Sequence, residues 1–404
     1  MRVSSNTIFE TGVSLMNRQT EALLKTQQQL ATGRRVLTPA DDPIAASRAL
    51  QIEQADSVNT QHGVNRKSAA ASLGLAEQAL AQSINALQNA RVRAVEAGNG
   101  SFSRKEYEAI AADLRGLRAE LLGAANATDG EGYYLFAGYQ AAAKPFVESG
   151  SGMQYVGDDG VRLAQVSASR QIAVSESGAR TFMRIAQGNG DFVVAAAAGN
   201  NGSGTYDLGS VIDRAALTGA DYRIDFSVSA GVTTYDVVNV SSGATVLAAQ
   251  AYTSGAAIEF DGMRVQIDGA PANGDRFDIA PSRSQDVFTT LDRLIATLEN
   301  SDTTTLAGRA ALGNGLTDAL GNIDQALDNT ISARSGIGSR LREVESLDSI
   351  GEDLALQYQQ TLSDLRDVDY ARAISDLTRQ QTFLEAAQQS FVQISRLSLF
   401  DFLR

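Results

Sequence analysis

From Pro43 to about Ala97 the chain contains no proline, and Leu73, Ala76, Leu80, Ile84, Leu87 and Ala94 recur at three- and four-residue spacings. Apolar positions so spaced line one face of an α-helix, and proline is the residue that would interrupt it. A continuous helix over this run would be about 80 Å long. The pair His62-Gly63 is where it could break. Asp42 and Pro43 supply an N-cap and a first helical residue, the arrangement favoured at a helix start. After the loop Gly98-Asn99-Gly100, Ser103 and Glu106 have the spacing of a capping box. Tyr107, Ile110, Leu114, Leu117, Leu121 and Ala124 then form a second stripe, predicted to fold back on the first.

The period changes at Thr128. Tyr133 to Gly138 reads as a short strand. Beyond Pro145, period-two alternation takes over, with Tyr222, Ile224, Phe226 and Val228 the strictest case. Asp261-Gly262 sits between the alternating runs Ile258, Phe260 and Met263, Val265, Ile267, a strong hairpin signal. Helical spacing returns at Ser284 and persists to the C-terminus, with an acidic interruption at Asp367-Val368-Asp369-Tyr370. The N-terminal segment up to Gly33 has a thinner stripe of Ile8, Gly12, Leu15, Leu23, Thr26 and Leu30. The fold class is therefore α+β: a long antiparallel helical bundle built from both chain ends, with a central inserted β domain. The expected division is 1–42 with 369–404 as terminal helical segments, 43–144 with 284–368 as the bundle, and 145–283 as the insertion.

Composition removes several functions. A net charge of −13 opposes nucleic acid, which needs a clustered basic surface, and anionic membrane surfaces. There is no cysteine and a single histidine, His62; thiol chemistry, Cys-based zinc sites and His-based triads are excluded within one chain. No metal, cofactor or catalytic residue is expected. Residues 1–19 hold no apolar run fit for a Sec signal, and no stretch approaches a membrane span. Asp41-Asp42 reads as a capped turn rather than an acid–base pair. Gly188-Asn189-Gly190 and the Gly-rich 199–204 segment lack the lysine and the strand–turn–helix context of a phosphate site. Arg34-Arg35 reads as a basic pair opposing the helix dipole. The chain end stands apart: Leu397, Leu399, Phe400, Phe402 and Leu403 form an apolar cluster that, left in water, marks a partner surface.

Gln29 to Val36, followed by Pro39-Ala40-Asp41-Asp42-Pro43, resembles the N-terminal signature of the flagellin family, and Asp367 to Ala371 resembles its C-terminal counterpart. Met1-Arg2-Val3-Ser4, Gly132 to Gly138 and Ala386 to Leu403 are more similar to the hook-associated members of that family than to filament flagellin. The resemblance implies a non-enzymatic flagellar subunit, exported unfolded through the flagellar type III channel and polymerised through its terminal helices. It implies a place at the hook–filament junction, with hook-associated protein 1, flagellin and further copies of itself in a ring as partners, and a cytosolic chaperone before export. The partner interface is expected at Ile8, Leu15, Leu23, Leu30, Ile374, Leu377, Leu384, Phe391, Ile394, Leu397, Leu399 and Phe400, with the C-terminal members wet in a free subunit. Filament flagellin is the alternative. A helical signalling adaptor is disfavoured by the β insertion, and a β-domain hydrolase by the lack of a nucleophile–base pair.

Overall fold

The structure, a computed structural model, describes residues 5–150 and 152–401; of residues 5, 6, 8 and 394–401 only the backbone is described. Three helices lead, α1 (Ser5–Thr32), α2 (Pro43–Ala97) and α3 (Arg104–Ala125), and three follow the β region, α4 (Val287–Asn300), α5 (Leu306–Arg366) and α6 (Tyr370–Asp401). α2 passes His62-Gly63 without a break. One glycine in a helix interior costs only about 1 kcal/mol, which the neighbouring turns absorb. Its start is capped as the sequence implies: Asp42 Oδ1 accepts the Ala45 N–H at 2.9 Å. At α3 the Ser103 N–H donates to Glu106 Oε2 at 2.5 Å.

The chain divides into two compact units, Met1–Val64 with Leu347–Arg404, and Asn65–Ser346. The central unit, Asn65–Ser346, has a conventional helical core. Leu73, Leu80 and Leu87 of α2, Leu114 and Leu121 of α3, Phe288, Leu291 and Leu294 of α4, and Ile323 and Ile337 of α5 are all buried. Ion pairs link the outer faces: Arg91 to Asp324 at 2.6 Å, Arg93 to Asp113 at 3.3 Å and Arg118 to Asp292 at 2.7 Å.

The β region holds two cores. Its first hairpins, β1 (Phe146–Ser149) with β2 (Gly152–Tyr155) and β3 (Leu163–Ser167) with β4 (Arg170–Ala173), stand apart from the larger sheets and touch the helices, the second pair through Arg66 to the Val166 carbonyl at 3.1 Å and Arg170 to Glu343 at 2.5 Å. Phe146 lies 5.5 Å from Phe182 and 5.8 Å from Phe288 of α4, ring centre to ring centre. The second core, from Phe192 to Ile279, is the insertion proper. Its strands are β6 (Phe192–Ala196), β7 (Thr205–Tyr206), β8 (Ser210–Val211), β9 (Tyr222–Ser229), β10 (Val232–Asn239), β11 (Thr245–Ala251), β12 (Ala257–Phe260), β13 (Met263–Asp268) and β14 (Arg276–Pro281). They form an antiparallel sheet in the order β11-β10-β9-β14-β6 and a smaller one, β12-β13-β7, with β8 also on β13. Tyr222, Ile224 and Phe226 point into this core. The Asp261-Gly262 turn joins β12 to β13 with φ of 43° and 78°, the left-handed pair such a turn requires.

Two expectations are corrected. Tyr133–Gly138 is not a strand; it makes single bridges, Tyr134 to Thr128 and Ala137 to Ser177, between turns. Gly138, at φ 70°, lies so close to Asp158 that a Cβ would overlap its carboxylate, and the backbone bends there while Leu135, Phe136 and Ala137 stay buried. Helix does not resume at Ser284. Ser284–Gln285 (β15) pairs with Ile185–Ala186 (β5), and α4 begins after Asp286, whose carboxylate accepts the Thr289 N–H at 2.7 Å.

Candidate assembly interface

Within the terminal unit α1 and α6 run antiparallel. Phe9 meets Phe391 with 5.2 Å between ring centres, Gln19 Nε2 donates to the Gln380 carbonyl at 3.4 Å, and Gly33 faces Tyr370. Gly12 makes room for Phe391, since a Cβ there would stand 2.8 Å from its ring.

The segments that resemble the two family signatures close the end of this pair together. Gly33, at φ 69°, ends α1, as glycine does where the chain turns left-handed. Arg34 then bridges Asp367. The Arg35 N–H donates to the Arg366 carbonyl at 2.6 Å and the Val368 N–H to the Gly33 carbonyl at 2.9 Å. Arg35 also reaches the Leu365 carbonyl at 2.9 Å and Asp42 at 3.2 Å, so its role is a cross-link between the signatures rather than a dipole partner alone. Asp41 accepts from Lys25 at 2.6 Å and from the Thr38 N–H at 2.8 Å; these bonds, the lysine first, hold its carboxyl down to about 2. Arg366 pairs with Glu53 of α2 and lowers that carboxyl too. Asp369 caps α6 through the Arg372 N–H at 3.1 Å. Every one of these carboxylates has a structural partner.

The expected interface residues separate into three groups. Leu23, Leu30, Leu377, Leu384 and Phe391 are half-buried, so the expectation that Phe391 is wet in a free subunit is overturned by its packing on Phe9 and Gly12. Leu15 and Ile374 are 54% and 53% exposed. Ile8, Ile394, Leu397, Leu399 and Phe400 lie outside the described side chains. Phe9, Leu24, Phe383 and Val392, which the sequence reading did not single out, are also about half-exposed. The sequence signal for them was the doubled apolar positions Ile8-Phe9, Leu23-Leu24, Phe383-Leu384 and Phe391-Val392, since adjacent helical residues point in different directions. Among the described residues of α1 and α6 only Thr26 and Ala373 are fully buried.

The glycine loops of the insertion are structural. Asp275, itself buried, accepts the N–H groups of Asn201, Gly202 and Ala272 at 2.7–3.0 Å, which occupies the donors a phosphate would need. Among the described residues no group of three or more acidic or histidine side chains is placed to hold a metal, and no helix is long and apolar enough to cross a membrane.

Paired terminal helices, signature turns that interlock, and a β insertion between them define a flagellin-type subunit. Residues 3–141 match the bacterial flagellin N-terminal helical region and residues 320–403 the bacterial flagellin C-terminal helical region; residues 196–281 match the D2-like domain of flagellar hook-associated protein 1. Flagellar hook-associated protein 3 of Escherichia coli (strain K12) is 29% identical over 400 residues, 99% of each chain. Hook-associated protein 3 of Legionella pneumophila is 30% identical with a TM-score of 0.75, covering 78% of this chain and 98% of that one. FlgL of Xanthomonas campestris is 34% identical with a TM-score of 0.72, covering 77% and 99%. The chain belongs to the flagellar hook-associated protein 3 family.

Proposed function

We propose that this chain joins the flagellar hook to the flagellin filament, between hook-associated protein 1 and flagellin, as a ring of copies held through their terminal helices. It acts as a structural subunit and not an enzyme, reaches its place through flagellar type III export, and is guarded by a cytosolic chaperone beforehand. Residues 1–42 with 369–404 polymerise, 43–144 with 284–368 form the supporting bundle, and 145–283 carry the β structure. One observation supports this reading most: α1 and α6 pair along their length yet bury no large apolar side chain among those described. Covering a Phe or Leu fully is worth about 1.5–3 kcal/mol, and a second molecule can collect what the monomer leaves uncollected.

The test is a Leu24→Asp, Phe383→Asp variant. Both positions are exposed, so monomer stability should move by no more than about 0.5 kcal/mol for each, about 1 kcal/mol for the pair. Cells should bear hooks, secrete the variant normally and shed flagellin into the medium, while antibody to the wild-type protein should label the hook–filament boundary. Normal filaments on the variant, or label along the whole filament, would remove the proposal.

A further inference from the structure

The insertion sits on α5 along one face of that helix. Asn314, Asp318 and Asn322 stand one turn apart and therefore point the same way. Asn314 accepts the Tyr206 N–H at 3.1 Å and donates to the Gly204 carbonyl at 3.2 Å. Asn322 accepts the Gly188 N–H at 2.9 Å. Both are amides and keep the same hydrogen-bonding character at every pH. Asp318 is the exception, and its Oδ2 accepts from the Tyr206 hydroxyl at 2.8 Å. Tyr206 is 5% exposed and packs edge-on against Phe277 in the insertion's core. Asp318 also lines a cavity of about 480 Å³ between α4, α5 and the first strands of the insertion. The lining there is neutral apart from Asp318 and Arg293 of α4, and the Arg293 guanidinium donates to Gln285 Oε1 at 2.6 Å.

We propose that seating of the β insertion on α5 is proton-linked, with Asp318 as the titrating group and Tyr206 as its fixed donor, so that the insertion is held tightest when Asp318 carries a proton. The proposal rests on the fold of the central unit and is independent of the junction reading. The charged or titratable groups facing the carboxyl are Tyr206 from β7 and Arg293 from α4. Burial raises the Tyr206 phenol, which therefore stays protonated and can only donate while Asp318 is ionised. Burial pushes the Asp318 carboxyl up to about 6, against the opposing pull of Tyr206 and Arg293. Freed into water, the same carboxyl titrates near 3.8. The seated state thus holds its proton more tightly than the released state. Seating is strongest below the lower value, weakens as pH rises between the two, and stays at its weaker level above the higher. Across that window the seating equilibrium should fall roughly a hundredfold.

The chain has no cysteine, so two introduced thiols can be labelled cleanly. Spin labels at Thr245→Cys in β11 and Asp328→Cys in α5, both exposed, report the distance between insertion and helix in the full chain. In the wild-type background the distance distribution should be narrow at about pH 3.5, broaden as pH rises between the two values and change little above the higher one. In Asp318→Asn, which keeps an acceptor for Tyr206, it should stay narrow at all pH. In Tyr206→Phe, which removes the bond that lowers the carboxyl, the midpoint should move upward. A wild-type distribution that does not change with pH, an identical transition in Asp318→Asn, or an unmoved midpoint in Tyr206→Phe would each overturn the proposal.

Discussion

α4 has 14 residues and buries seven of them, including Phe288, Leu291, Leu294 and Leu298; α6 has 32 and, among those described, buries only Ala373. The two helices do not differ in their supply of apolar residues. α6 carries Ile374, Leu377, Phe383, Leu384 and Phe391 at helical spacings. They differ in what surrounds them. α4 is packed by α3 and by the aromatic cluster of Phe146 and Phe182, whereas α6 has α1 along one side. A pair of helices can hide one stripe of each, and whatever lies off that stripe stays wet. The central unit is thus stabilised by its own core. The terminal unit is held by backbone pairing at its signature turns, with much of its apolar surface left exposed.

That contrast can be broken most forcefully in the core. Phe288→Ala leaves a cavity beside Phe146, and truncating a buried Phe typically costs about 3–5 kcal/mol. Calorimetry should show the main melting transition falling steeply. A small change would mean the central unit is no better packed than the ends.

Gly33→Ala tests the opposite region with a smaller effect. Its φ of 69° is unfavourable for any residue with a Cβ, and that Cβ would stand 2.9 Å from the Tyr370 hydroxyl. The left-handed conformation alone costs roughly 1–2 kcal/mol. Hydrogen exchange of the Val368 amide, which bonds to the Gly33 carbonyl, should speed up about tenfold while the main melting transition stays in place. Should that transition fall as well, the two units are not energetically separate.

The smallest effect belongs to Asp41. Its carboxyl is held down to about 2 by Lys25 and Thr38. Those bonds are intact above the ordinary value of 3.8 and are lost as pH falls through about 2. The Thr38 amide resonance should therefore titrate in strong acid in the wild type and not in Asp41→Asn. A midpoint near 4 would show the turn is not built as described.

How much of this was legible in the sequence follows from the range of each interaction. Caps and turns were readable because their partners lie within a few residues: Asp42 with Ala45, Ser103 with Glu106, Asp261 with Gly262. The alternation of Tyr222, Ile224, Phe226 and Val228 predicted a buried strand face; the structure buries the first three and leaves Val228, near the strand's end, exposed. The bend at Gly138 was not readable, because it answers to Asp158 in a different loop. Nor was the role of Asp318, which in sequence is one more acid on a long helix and acquires meaning only when Tyr206, 112 residues away, is placed against it. The interface was legible in part. Apolar spacing marked α1 and α6 as apolar helices, but spacing alone cannot divide a helix between the side its own chain covers and the side it leaves open; Phe391 packs on Phe9 while Phe383 is 57% exposed.

The cross-link between Arg35 and Leu365 joins residues 330 apart in sequence. Closing a flexible loop of that size costs about 5 kcal/mol in chain entropy by the logarithmic rule, apart from a constant, which is more than the few hydrogen bonds at the signature turns return at about 1 kcal/mol each. The two ends therefore have no means of finding one another while the chain between them is unfolded. Once the central unit has folded, most of that entropy is already gone, and the same hydrogen bonds suffice. Folding accordingly has an order: the middle of the chain first, the two ends last, with unfolding starting from the same place where folding finishes.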